Sequence, residues 1–319
     1  MESLIQREQI QCHFTRSGRF LGAWRPSDYE TMAGEVERLN RHVGYQMAML
    51  PRAEQDRQIA TDVYHGGRVN PGDGVVHPGL YHQGLLERVM AAGALVAAET
   101  PVTGVEKTPT GFLVRTSRGT VQARDVLVGT NGYTADAVPY LARRLIPVAS
   151  QIIATEPLAP ERVKRLMPAG NMIVDSKHTV HYYRTSPDGT RILMGGRPTL
   201  GEALPEVSAA HLRRFLVRVF PELEPVRISH SWGGRLGFTF DKLPHIGVAD
   251  GIRYACGYLG SGVAMSTWLG HKMALQTLGS SEGATALDGR HFPSMPFYRG
   301  RPWFLSGVAL WYRLLDKLP

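Results

Sequence analysis

The chain has 319 residues, 43% of them hydrophobic and 20% charged, with a formal net charge of +8. That balance excludes a disordered chain, and the length is enough for one large core or two modest ones, so a two-domain globular protein is the default. Two cysteines, Cys12 and Cys256, far apart and differently embedded, exclude a disulfide framework and a cysteine metal site.

No uncharged apolar run approaches the ~20 residues that span a bilayer, and the opening MESLIQREQIQCHF carries acids where a signal peptide needs an apolar stretch. A soluble, cytoplasmic protein without an integral membrane segment is expected. The positive charge admits nucleic acid, an anionic surface or an acidic small molecule. Its lysines and arginines are scattered, however, with no basic run or interleaved aromatic stripe, so the expectation is a solvated surface biased toward anionic ligands, with no nucleic acid.

In chain order, Leu4 to Leu21 read as a strand and a turn around Gly18. A capping box at Ser27-Asp28-Tyr29-Glu30 opens a helix with Met32, Val36, Leu39, Val43 and Met47 on its core stripe. Four glycines from Gly66 to Gly74 mark a loop, and His77-Pro78 starts a helix through Leu80, Leu85 and Val89 that stops at Gly93. Strands follow at Leu95–Glu99, Val102–Lys107, Phe112–Thr116, Val121–Arg124 and Val126–Thr130, the last running into Asn131-Gly132. That dipeptide taken alone is an ordinary turn. A second sheet is expected from Met172–Asp175, Thr179–Thr185 and Arg191–Gly196, with a hairpin turn at Pro187-Asp188-Gly189. Alternation on the middle strand puts His181 and Tyr183 on one face and Tyr182 and Arg184 on the other. A helix capped by Ser208 and ended by Pro221 leads to the aromatic, glycine-rich stretch from Trp232 to Gly247.

The short apolar strand Ile252–Cys256 then enters Gly257-Tyr258-Leu259-Gly260-Ser261-Gly262, and a helix runs on from Val263 through Met265, Leu269 and Met273 to Gly279. Glycines at a strand-to-helix turn let backbone approach a ligand closely and leave free N–H groups at the positive end of the helix dipole, which suits a carbonyl or phosphate. Such a turn is more often plain packing. In the tail, Phe304, Val308, Trp311 and Leu315 form a stripe expected to dock on the body of the protein, while Trp303 and Arg301 admit a membrane-surface reading. The histidines lack metal-ligand spacing, and no GxSxG or Walker sequence is present, so no metal site is expected.

Seven short pieces, Gly74-Val-Val-His-Pro78, Val128-Gly-Thr-Asn-Gly-Tyr133, Ala154-Thr-Glu-Pro157, Tyr182-Tyr-Arg184, Gly195-Gly-Arg197, Trp232 to Gly247 and Gly257 to Ala264, occur in the order found in the D-amino-acid-oxidase-like FAD oxidoreductases. The chain resembles that family, particularly its bacterial gamma-glutamylputrescine oxidoreductase branch. It lacks the opening strand and GxGxxG turn that hold the FAD diphosphate there. The resemblance implies an α/β fold (mixed α+β), in which a partial Rossmann-like FAD-binding domain is interleaved with an antiparallel substrate sheet. The implied parts are residues 1–65 on the substrate side, 66–145 and 229–280 in the FAD domain, 146–228 in the substrate domain, and 281–319 as a tail. It further implies FAD contacts at Val102, at Thr130, Asn131 and Gly132, and at Gly257, Gly260, Ser261, Gly262 and Val263.

Tyr182 (or Tyr183) with Arg184 would supply a phenol and a guanidinium to an amino-acid-like substrate, although Arg184 pairing with an acid at the sheet rim accounts for it equally well. Trp232 would pack over the pocket or flavin, and His245 is a pocket candidate for which a packed histidine is the commoner outcome. Asp241 reads best as a turn-former. Some relatives attach FAD through a cysteine at a position matching Gly234, so the cofactor here is expected to be non-covalent. The implied activity is FAD-dependent oxidation of a C–N bond in an amine or amino acid, such as a gamma-glutamylated polyamine. The alternative is a truncated, FAD-free relative, and a partner chain supplying the nucleotide-binding segment is a further expectation.

Overall fold

In a computed structural model, residues 1–197, 200–201 and 204–317 are described, and the chain divides into two compact units. One holds residues 10–84, 150–234 and 304–319; the other holds 1–9, 85–149 and 235–303. The sequence boundaries differ: residues 66–84, assigned above to the cofactor side, cluster with the sheet unit, and 281–303 belong with the other unit. The end of the expected tail, Leu318 and Pro319, lies outside the described residues.

The first unit carries a sheet in the order Ile228–Phe238, Ile146–Thr155, Ile192–Gly196, His181–Thr185, Met172–Asp175, Arg19–Gly22, Gly67–Asn70, Ala48–Leu50. It is largely antiparallel, as expected, but Arg19–Gly22 runs parallel to Met172–Asp175. Ile153, Met194, Tyr183, Ile173 and Phe20 stand directly across from one another on five neighbouring strands. All five are buried, and the helix Pro205–Val219 covers them with Leu212, Phe215 and Leu216. Side chains alternate along a strand, so burying this row commits Ile152, Leu193, Tyr182 and Arg184 to the opposite face. Within the core, the Tyr64 and Tyr183 hydroxyls hydrogen-bond to each other at 2.7 Å, and burial raises both phenol pKa values well above their ordinary value.

The second unit contains the meander Val102–Thr108, Gly111–Thr116, Gly119–Ala123, as expected. A separate sheet orders His245–Ala249, Ile252–Cys256 and Leu127–Val128. Ile252, Tyr254 and Cys256 pack into a cluster with Phe112, Leu141 and Phe292, whereas Ala255 faces Leu269 and Met273 of the helix Gly262–Thr277. That strand is buried on both faces except at the half-buried Arg253, which is why the rest of it reads as apolar.

Several local expectations are corrected. Leu4 opens no strand; Glu2–Arg7 is helical, and the first strand is Arg19–Gly22. Leu95 to Glu99 form no strand, and Leu95 is fully exposed, because no neighbouring strand among the described residues offers it hydrogen bonds. The helix at Pro26–Val43 starts on a proline with no side-chain cap bond, so the capping box does not form, and Gly44 in left-handed geometry ends it before Met47. Ser208 is a buried residue inside a helix that begins at Pro205. In the tail helix Leu305–Leu315 the buried face is Leu305 and Ala309, while Trp311 points outward.

The tyrosine pair gives a direct check. Tyr183→Phe leaves the Tyr64 hydroxyl buried without its partner and should cost about 1–3 kcal/mol in urea unfolding. The Tyr64→Phe, Tyr183→Phe double variant should lose less than the two single losses summed, because neither ring then carries an orphaned hydroxyl.

Candidate active site

Within the sheet unit, the face opposite the buried row opens into a cleft of about 620 Å³. Ile152, Leu193, Met172 and Trp232 supply apolar wall, and Tyr182, Arg184 and Arg191 supply the polar groups. Tyr182 has room because Gly195 stands opposite it: a Cβ there would lie 2.1 Å from the ring. The Tyr182 hydroxyl hydrogen-bonds with the Ser150 hydroxyl, and burial raises the phenol pKa, so it stays protonated at neutral pH.

Arg184 donates one hydrogen bond, to the Val76 carbonyl at 3.0 Å. Arg191 donates to the Thr155 carbonyl and the Ser229 hydroxyl, each at 2.7 Å. Burial pulls the Arg184 pKa down, yet a guanidinium remains charged at neutral pH. No aspartate or glutamate lines the cleft among the described residues. The sheet-rim ion pair considered for Arg184 is therefore not formed. Two half-buried cations on a largely apolar wall, Arg191 within electrostatic reach of Asp188 and Arg184 with no carboxylate lining the cleft beside it, make a receptor for an anionic group.

Sequence reasoning placed Tyr182, Arg184 and Trp232 here, and the structure brings all three to one cleft. It passed over Ile152, Leu193 and Arg191; the alternation that separates Tyr182 from Tyr183 extends to the neighbouring strands once register is known. His77 also lines the cleft, where its Nδ1 accepts from the Leu80 amide and closes the start of the helix Pro78–Ala91.

His245 belongs to the other unit. It is 2% exposed, stacked on Phe292 at 3.9 Å between centroids, and held by both Asp241 carboxylate oxygens at 3.1 Å. It is the packed histidine, outside the cleft. Burial pushes the Asp241 carboxyl up, but hydrogen bonds from His245 and the Leu243 amide outweigh it and hold the pKa below the usual carboxylate range.

In the same unit, three loops are tied together. Asn131, at φ 43°, uses its side-chain oxygen to accept from the Gly257 amide at 2.9 Å, and the Leu259 amide donates to the Gly237 carbonyl at 3.1 Å. Gly132 passes so close to the Arg235–Leu236 backbone that a Cβ would lie 2.7 Å from a carbonyl carbon. The tie sets the start of Gly262–Thr277, whose N-cap, Ser261, makes no side-chain cap bond. Gly260, Ser261 and Val263 are exposed, and a Cβ on Gly262 would meet nothing within 4 Å. Open first-turn amides beside a side-chain-free approach fit the electronegative edge of a flavin. Thr130 bonds Thr134 through their hydroxyls, and Val102 stands at the bulged start of the meander, in a different sheet from these loops.

A glycine-opened helix start in one unit and a cation-bearing cleft on a mixed sheet in the other are consistent with a flavin-type oxidoreductase architecture. Solved structures agree on the fold: glycine oxidase from Geobacillus kaustophilus superposes with a TM-score of 0.75 at 21% identity, covering 92% of this chain and 79% of that one. Iminodiacetate oxidase from Chelativorans gives 0.74 at 16%, covering 92% and 80%. Residues 1–276 match the family described as FAD dependent oxidoreductase, and the chain belongs to that family. It is 32% identical to a probable oxidoreductase OrdL of Rhizobium meliloti over 88% of this chain and 66% of that protein. It is 31% identical to gamma-glutamylputrescine oxidoreductase of Escherichia coli over 98% of this chain and 74% of that protein. The chain thus spans about two thirds to three quarters of the length of these relatives.

Two measurements check the cofactor-side geometry. Gly132→Ala should lower stability by about 1–3 kcal/mol, because the obstructing atoms are backbone and cannot swing aside. The pairing of Asp241 lowers its folded-state pKa, so its contribution is present above the unfolded value near 3.8 and is lost as pH falls through the lower folded value. Melting curves of Asp241→Asn should converge on those of the parent as pH drops below about 4 and lie below them at neutral pH.

Proposed function

We propose that this protein catalyses FAD-dependent oxidation of a C–N bond in an amine or amino-acid-like substrate that carries a carboxylate. The observation that carries the reading is Arg184, charged and with no carboxylate beside it on the wall of a largely apolar cleft. The guanidinium fork would hold the carboxylate by two parallel hydrogen bonds. Ile152, Leu193 and Trp232 would cover methylene groups and keep water out. Tyr182, oriented by Ser150, would donate its hydroxyl proton to a polar atom of the substrate. A gamma-glutamylated polyamine has the required parts: a carboxylate, a methylene chain and a primary amine. The relative named for gamma-glutamylputrescine supports that choice.

Asn131, Gly132, Gly257, Gly260, Ser261, Gly262 and Val263, with Thr130 and Val102, would hold FAD, and the absence of a cysteine at Gly234 supports non-covalent binding. Bound FAD would supply a two-electron acceptor for the hydride on the carbon beside the amine nitrogen, and water would hydrolyse the resulting imine. No protein base is required for a neutral amine. The open amides at the start of Gly262–Thr277, which favour negative charge, would give electrostatic help at the cofactor.

The purified chain should be yellow, with flavin absorption near one FAD per chain, or should quench added FAD. A colourless protein that ignores added FAD would instead support an FAD-free relative, or one dependent on a partner chain for its nucleotide-binding segment. In the flavin-loaded protein, Arg184→Ala should raise KM for carboxylate-bearing amines about 100-fold, from two charge-assisted hydrogen bonds lost. Arg184→Lys should recover only part of it, and amines lacking a carboxylate should be little affected.

A further inference from the structure

The tail helix Leu305–Leu315 is anchored by polar contacts at its C-terminal end. Arg25 donates to the Leu315 carbonyl at 3.0 Å, a cation placed where the helix dipole is negative. Asp316 accepts from the His178 and Thr179 amides at 2.8 and 3.0 Å and from the Thr179 hydroxyl. Leu305 and Ala309 face inward. Gly307, Leu310, Trp311 and Leu314 lie at i, i+3, i+4 and i+7 and form one stripe on the opposite side. Leu310, Trp311 and Leu314 are 59%, 58% and 49% exposed. An eleven-residue helix, about 16 Å long, therefore carries apolar side chains on both of its faces, and only one is covered.

Two clefts run beside this stripe, and both are basic. Leu310, Leu314, Arg313 and Lys317 share the first with Lys177 and Arg218, and Arg214 joins Lys177, Arg218 and Arg313 in the second. Among the described residues the only acid lining either cleft is Asp316, which is already committed to its amide contacts. Lys177 and Arg218 lie over the Trp24 ring at 4.3 and 4.5 Å, so one aromatic ring holds two positive groups. The Lys177 pKa is lowered by burial and by the neighbouring Arg218 and Arg25, with Asp175 and Asp316 opposing.

From this surface we infer that the tail helix and its basic flanks dock on an anionic lipid membrane. Leu310, Trp311 and Leu314 enter the boundary between headgroups and acyl chains, and Arg214, Arg218, Arg313 and Lys317 meet headgroup phosphates. An uncovered apolar stripe calls for a low-dielectric partner, and flanking clefts in which cations outnumber acids call for a negatively charged one. A bilayer carrying anionic lipids presents both, at the depth an interfacial helix reaches. Among the described residues no helix is long and apolar enough to cross a membrane, so the contact is a surface one.

The test is vesicle co-flotation of the full chain at low salt, comparing phosphatidylcholine vesicles with vesicles of phosphatidylcholine and phosphatidylglycerol. The chain should float with the anionic vesicles only and be released as salt rises. Arg214→Glu with Arg218→Glu should raise the half-saturating lipid concentration more than ten-fold, at about five-fold per basic group removed. Trp311→Ser with Leu314→Ser should abolish flotation. These four side chains are outside the core, so circular dichroism and melting temperature should stay at parent values, separating lost docking from lost folding. Equal binding to neutral vesicles, no binding to anionic ones, or flotation unchanged in the Trp311→Ser, Leu314→Ser variant overturns the inference. So does a concentration-dependent dimer in sedimentation that the same variant dissolves, since the stripe would then be covered by a second copy. Flavin content and turnover play no part in the readout, so the result is independent of the proposed activity.

Discussion

The period-two alternation of the larger sheet, combined with one row of buried side chains, governs what this molecule can do. Phe20, Ile173, Tyr183, Met194 and Ile153 form a continuous apolar line across five strands. Water drives that line under the helix Pro205–Val219, and covalent geometry then leaves no choice about the other face. Tyr182, Arg184, Leu193 and Ile152 become the wall of a cleft because their neighbours in the chain are core. A slip of one residue in any of these strands would exchange wall for core, placing a guanidinium among leucines. Register here is thus enforced by the cost of burying Arg184 as much as by the gain from burying Tyr183.

The second unit solves a different problem, how to hold loop backbone at close quarters without side chains to fill the space. Asn131 does this with one side-chain oxygen, accepting from the Gly257 amide across 126 positions of sequence. The glycines around it let backbones touch, and the helix that follows keeps its first turn open. Free amides at such a place would be a liability in a buried core, yet at an exposed helix start they remain hydrated until a ligand replaces the water. Stability and readiness to bind are served by different atoms of the same loops.

Charge is distributed with similar economy. The net positive balance is partly spread over surface ion pairs worth little individually, such as Arg162 with Glu222 and Arg227 with Glu156. Two places depart from that pattern: the substrate-type cleft with Arg184 and Arg191, and the flank of the tail helix with Lys177, Arg214 and Arg218. In both, cations outnumber the acids beside them on apolar or aromatic surface, which leaves a net attraction for an outside anion.

The amino-acid sequence by itself determined the meander, the buried strand Ile252–Cys256 with its glycine turn and helix, and the split of Tyr182 and Arg184 from Tyr183, because each follows from local periodicity or backbone freedom. It also carried the family, through seven short pieces in order. Only the tertiary structure decided that Leu95 to Glu99 is no strand, that His245 is packed rather than in the cleft, and that Trp311 faces outward. The physical reason is common to all three. A strand exists only where a neighbour completes its hydrogen bonds, a histidine's role depends on which carboxylate and ring close on it, and an amphipathic helix with two apolar faces buries whichever its anchors turn inward. Most of those partners, such as Phe292 for His245 and Arg25 and His178 for the tail helix, lie tens or hundreds of residues away, beyond the reach of any local pattern.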